Sequence, residues 1–149
     1  MRASLEVLDI RIPKPHEQTR PGLLSQLIEE IERDGVLKVP VLLEREHLVI
    51  LDGHHRWEAL RRLGCKRIPA YVVDYSSEEI SVTTWPGAIV ATVTKEEVVA
   101  HGVKGDLFPP KTTRHLLRKK LPESPVPLKD LMQGAPGGSG ACTPAPGGG

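Results

Sequence analysis

The chain has 149 residues, 39% of them hydrophobic and 3% aromatic, and its 20 basic and 19 acidic residues leave a formal charge of +1. That length suits one ordinary domain with an aliphatic core, and near-neutrality argues against a general electrostatic surface for nucleic acid. Two cysteines, Cys65 and Cys142, form no C-x-x-C pair, which argues against a disulfide framework or zinc knuckle; with no apolar leader and no membrane-length apolar run, a cytoplasmic location is expected.

Alternation over Leu5–Pro13 predicts a strand, and the polar stretch "KPHEQTRPG" a loop. Leu23, Leu24, Leu27, Ile28 and Ile31 recur with helical spacing, opened by Pro21 and stopped at Gly35. "VPVLLE" and "HLVILD" read as short strands around a charged turn at Glu44–Glu46. A second helix follows Gly53, carrying Trp57, Leu60 and Leu63 on one face and ending at Gly64. "RIPAYVVDY" predicts another strand, and "TKEEVVAHG" a short helix with Thr94 and Glu97 as a capping box. "FPPKTTRHLLRKKL" is expected to be a loop running into a basic helix. The sum is a compact α+β domain over residues 1–131, with helices on a small mixed sheet. Residues 132–149 hold seven of the 14 glycines, three prolines and no charge, and are expected to be an unstructured tail.

Three constellations carry chemistry. The first is "LDGHHRWEALRRLG", where a strand passes through a glycine into a helix. A helix N-terminus has unpaired N–H groups and a partial positive charge. Gly53 lets the backbone approach an anion, and Arg56 adds a permanently charged fork. His54 and His55 sit where the helix dipole disfavours protonation, which predicts neutral donors. Asp52 suits a divalent cation or a substrate hydroxyl beside the anion. Asp52 as a plain N-cap and a histidine metal site stay open as alternatives, although adjacent helical histidines diverge by about 100°. Glu58 is expected to pair with Arg62.

The second constellation is Glu17 in the "HEQT" loop, a candidate base or else a solvated acid near a helix start. The third is "FPPKTTRH", in which Lys111, Thr113 and His115 are spaced to face one side of an extended segment. Arg114 and Thr112 are expected to face away or to brace the loop. The alternative here is a threonine cap on a solvated basic helix.

The segment "LVILDGHHRWEALRRLGCKRIPAYVV" resembles the ParB/sulfiredoxin-like fold, whose strand–G-x-x-R–helix turn binds nucleotide phosphates. Within that group D-G-H-H-R, together with K-T-T-R-H, is similar to the free L-serine kinases. Partition proteins of the ParB type usually read G-E-R-R at this turn. Sulfiredoxins place a reactive cysteine where His54 stands, and Cys65 lies a whole helix away.

The resemblance implies transfer of a phosphoryl group from ADP or ATP, with Mg²⁺, to serine, giving O-phospho-L-serine for cysteine supply. It implies Glu17 as general base, Asp52 organising metal and reacting oxygens, and Gly53, His54, His55 and Arg56 holding phosphates. Serine would be held by Lys111, Thr113 and His115, with Trp85 closing the pocket. The segment between Trp85 and Lys111 is shorter than in those kinases, which leaves room for a different acceptor. The competing expectation is a non-catalytic, nucleotide-dependent regulator of DNA or of a protein partner, supported by the basic stretch Arg114–Lys120.

Overall fold

The computed structural model describes residues 2–133. Strand β1 (Ala3–Asp9) leads through a long loop to helix α1 (Pro21–Asp34), which Pro21 opens and a left-handed Gly35 closes, as its spacing predicts. Short strands β2 (Val36–Leu37), β3 (Val41–Glu44) and β4 (Ile50–Asp52) precede helix α2 (His54–Arg62). Strand β5 (Arg67–Val73) and strand β6 (Ile80–Thr84) follow, then helix α3 (Lys95–Lys104) with both halves of the Thr94–Glu97 capping box made. Strand β7 (Thr113–Leu117), strand β8 (Val126–Pro127) and helix α4 (Leu128–Met132) complete the described chain.

The central sheet runs β1-β5-β3-β4 and is mixed, with β3 parallel to β5 and the other pairs antiparallel. Its inner strands β3 and β5 are buried on both faces and so read as near-continuous apolar runs, while edge strand β1 is largely exposed. Val41, Leu43, Ile50 and Ile68 point with Leu24, Ile31 and Leu60 of the two long helices into one core. Leu42, Val49, Leu51 and Val73 point the other way, toward Ile80, Val98 and Phe108. Helices α1 and α2 therefore lie on one side of the sheet, and α3 with the β6–β7 ribbon on the other.

Two expectations fail here. The basic helix after "FPPK" is strand β7, antiparallel to β6 with Val82 opposite His115 and Thr84 opposite Thr113. Cross-strand pairing with a segment about thirty residues upstream outweighs the helical spacing of "LLRKK". Helix α4 also carries Met132 past the expected boundary at 131, its Leu131 fully buried; the rest of the expected tail, 134–149, lies outside the described residues. Among the described residues no helix is long and apolar enough to cross a membrane.

Candidate active site

The turn after β4 is built around Gly53, the N-cap of α2, with φ 104° and ψ 25°. A side chain is excluded twice over, because a Cβ there would lie 2.7 Å from Val41 Cγ1 and 2.8 Å from Arg56 Nη2. No side chain caps α2, so its first-turn N–H groups are left for a ligand and the Asp52 cap is ruled out. The Asp52 carboxylate is instead exposed, 3.9 Å from Arg56 Nη2. Arg56 Nη2 makes one long contact, 3.5 Å to the Pro40 carbonyl, while its buried Nε has no partner among the described residues. A half-buried guanidinium with donors to spare is the arrangement expected of an anion site.

His54 and His55 each accept through one ring nitrogen, which leaves the donor hydrogen expected of a neutral ring on Nδ1. Nε2 of His54 accepts the backbone N–H of His16 at 3.1 Å, and Nε2 of His55 accepts that of Arg20 at 3.0 Å. Burial, more than the helix dipole, lowers both proton affinities; for His54 the fall is large and for His55 Lys111 and Arg20 add to it. The loop between β1 and α1 presents unpaired amides, and these capture the ring nitrogens. The two histidines thus tie both ends of the loop carrying Glu17 to the turn at Gly53. Toward the cavity the turn presents backbone N–H groups and Arg56, with the two histidines beside them.

That loop is further fixed by bridges of Lys14 to Val49 and of Glu17 to Phe108. Glu17 is 9% exposed, and its carboxylate accepts the Thr113 N–H at 2.8 Å on Oε1 and the Lys111 N–H at 3.1 Å on Oε2, with the Thr112 N–H also turned toward it and Thr113 Oγ1 2.9 Å from Oε1. Burial pushes the Glu17 proton affinity up, and these bonds oppose it. Lys111 aims its N–H from a left-handed backbone (φ 60°), a strained state for a lysine of the kind that clusters at functional sites. His16, fully buried, hydrogen-bonds the Ile50 carbonyl and Thr113 Oγ1.

Pairing of β6 with β7 sets Trp85, one residue past β6, beside the start of β7. Its indole N–H donates to the Thr113 carbonyl at 2.9 Å. The Lys111 ammonium lies 5.2 Å and the Arg114 guanidinium 4.6 Å from its ring centre. Arg114 therefore stays on the site, where the sequence suggests that it turns away. Thr112 braces the loop as expected, donating to the Pro109 carbonyl at 2.7 Å. Nε2 of His115 meets the Tyr75 hydroxyl at 2.7 Å, and burial holds the imidazole down at about 4.

All ten sequence-selected residues, Glu17, Asp52, Gly53, His54, His55, Arg56, Trp85, Lys111, Thr113 and His115, line one cavity of about 620 Å³. Its far wall, absent from the sequence reading, comes from α1 and the β2 region: Leu27, Val36 and Val39 as apolar surface, Glu30, Asp34 and Lys38 as a charged border. The volume is in the usual range of small-molecule sites, about 300–1,000 Å³. Among the described residues no group of three or more His, Cys, Asp or Glu side chains is placed to hold a metal ion. Cys65 is buried and its thiol is pushed up to about 11, which makes it inert at neutral pH.

Comparison with known proteins places this chain among relatives. Residues 3–84 match the family model of the ParB N-terminal domain. The chain is 35% identical over 104 residues to an ATP-dependent L-serine kinase of Staphylothermus marinus, covering 66% of this chain and 41% of that protein. It is 41% identical over 76 residues to the ADP-dependent L-serine kinase SerK of Thermococcus kodakarensis, covering 48% of this chain and 31% of that one. The chain thus spans less than half the length of these curated relatives. A solved structure of a free serine kinase in complex with AMP superposes with a TM-score of 0.79 at 22% identity, over 88% of this chain and 95% of that chain, a likeness of fold.

Proposed function

As this chain belongs to the ParB N-terminal domain family and has L-serine kinases among its relatives, we propose that it phosphorylates the hydroxyl of free L-serine from ADP or ATP. The observation that supports this reading is the meeting of Glu17 with the Gly53–Arg56 turn and the Lys111–His115 strip around one cavity. The first-turn N–H groups of α2 and the Arg56 fork hold the phosphates and neutralise charge as it moves to the leaving oxygen. The acidic and apolar wall of α1 and β2 receives the nucleoside.

Serine lies against Trp85, its carboxylate met by Lys111, with Thr113 close by; His115, whose Nε2 meets the Tyr75 hydroxyl and whose Nδ1 is buried, shapes the pocket wall. The Glu17 carboxylate takes the hydroxyl proton as the new O–P bond forms and the bond to the leaving phosphate oxygen breaks. When bound, Mg²⁺ would supply further charge neutralisation at the phosphates. With a single exposed carboxylate on the turn, Asp52 would share it with the nucleotide, the usual manner of binding this ion. Positioning carries most of such catalysis, so the convergence of these groups on one cavity matters as much as any one of them.

Incubation of the protein with serine, Mg²⁺ and either nucleotide tests the reading: O-phosphoserine is expected by mass spectrometry, and none from either donor refutes it. Glu17→Gln is expected to abolish turnover while nucleotide affinity stays within about twofold. The alternative, a nucleotide-dependent regulator, is favoured by the exposed basic run Arg118–Lys120 after β7. DNA binding with a steep salt dependence, without serine-dependent nucleotide turnover, would establish it.

A further inference from the structure

The contacts among Glu17, Thr113 and His16 contain one hydrogen too few. Thr113 Oγ1 lies 2.9 Å from Glu17 Oε1 and 2.8 Å from His16 Nε2. On the far side of the ring, His16 Nδ1 faces the Ile50 carbonyl at 2.6 Å. A carbonyl only accepts, so Nδ1 carries the ring hydrogen, and Nε2 of a neutral imidazole is bare. Two acceptors therefore compete for a single hydroxyl hydrogen. Oε1 already accepts the Thr113 amide at 2.8 Å, whereas Nε2 is fully buried and has only the hydroxyl. Leaving a buried acceptor bare is the costlier choice.

We propose that His16 takes the Thr113 hydroxyl hydrogen and so raises the proton affinity of Glu17, making His16 a positioning residue that tunes the base through Thr113. The proposal rests on the reading of Glu17 as base and names what adjusts it. Hydrogen bonds to an ionised carboxylate favour ionisation, so one diverted to imidazole leaves Glu17 with backbone donors alone and a greater hold on a proton. The neutral imidazole this requires follows from burial, which holds His16 at about 3.

Other titratable or charged groups face this pair from every neighbouring element. His54, His55 and Arg56 stand on α2, Lys111 and His115 on the β7 arm, His101 on α3, and Asp52 lines the same cavity at the end of β4. His54 cannot replace His16 here, because its Nε2 is occupied by the His16 amide.

The test is His16→Asn. The asparagine amide can keep donating to the Ile50 carbonyl, and it leaves no acceptor where Nε2 stood, so the hydroxyl turns to Glu17. The Glu17 carboxyl midpoint, followed by ¹³C NMR, should fall by about one to two pH units, with the acid limb of kcat/KM moving alongside. An unmoved midpoint overturns the proposal; a purely structural role would lower kcat at all pH and leave the limb in place. The unmodified chain gives a second reading by ¹⁵N NMR of His16 near neutral pH. A bare Nε2 with Nδ1–H is expected, and Nε2–H or an imidazolium overturns the proposal even if His16→Asn fails to fold. A shifted midpoint in a protein that makes no O-phosphoserine would end the kinase reading and leave the coupling intact.

Discussion

Acidification from about pH 7 to about pH 5 loads the buried histidines of this fold. His16 and His54 are 0% and 7% exposed, His16 held at about 3 and His54 well below its ordinary value. An unfolded histidine titrates near 6.5, so across this range the unfolded chain takes up protons that the folded chain refuses. The folded proton affinity is depressed, and the stabilisation is therefore present above about 6.5 and lost as pH falls. Each such histidine removes about 2 kcal/mol between pH 7 and 5, about 4 kcal/mol for the two, and His115, held at about 4, acts in the same direction by a similar amount. Glu17, whose proton affinity burial raises, acts in the opposite sense and offsets part of this.

Against a typical domain stability of about 5–15 kcal/mol the loss is large. Urea titrations at the two pH values, followed by tryptophan fluorescence, should show the unfolding free energy falling by about 3–5 kcal/mol. Values equal within about 0.5 kcal/mol would refute the assignment of His16 and His54 as neutral acceptors.

Gly53→Ala should cost about 2–4 kcal/mol in urea unfolding, from left-handed strain plus the clash with Val41, and should weaken nucleotide binding by displacing Arg56; an unchanged midpoint would contradict the turn geometry. Arg56→Met should weaken ADP binding about 10- to 100-fold by calorimetry. It should leave the urea midpoint unchanged or higher, since it removes a buried Nε without a partner.

Helices α1, α2 and α3 were legible because their signals are local. Pro21 and Gly35 bracket an apolar stripe, and Thr94 and Glu97 sit three apart. Arg62 and Glu58 pair as their spacing suggests, with Arg61 joining them. Strands β6 and β7 were not legible, because each is stabilised by the other across about thirty residues and shows only half-polar alternation. The membership of the site came from two short motifs and their family likeness. Its internal wiring did not.

Nothing in "GHHR" distinguishes a histidine donating to phosphate from one accepting a backbone N–H of a distant loop. That choice depends on where His16 and Arg20 are carried by an unpaired loop. The left-handed backbone of Lys111 and the stacking of Arg114 on Trp85 are likewise products of the β6–β7 pairing. Leu27 and Val39 look like ordinary apolar positions. Their incomplete burial beside a cavity is what marks them as wall.

A crystal structure with nucleotide and L-serine bound together tests the central claim most directly. The account predicts phosphates against the Gly53–Arg56 turn, with the serine hydroxyl within hydrogen-bond reach of the Glu17 carboxylate. Phosphates seated elsewhere, or a serine hydroxyl facing away from Glu17, would contradict it.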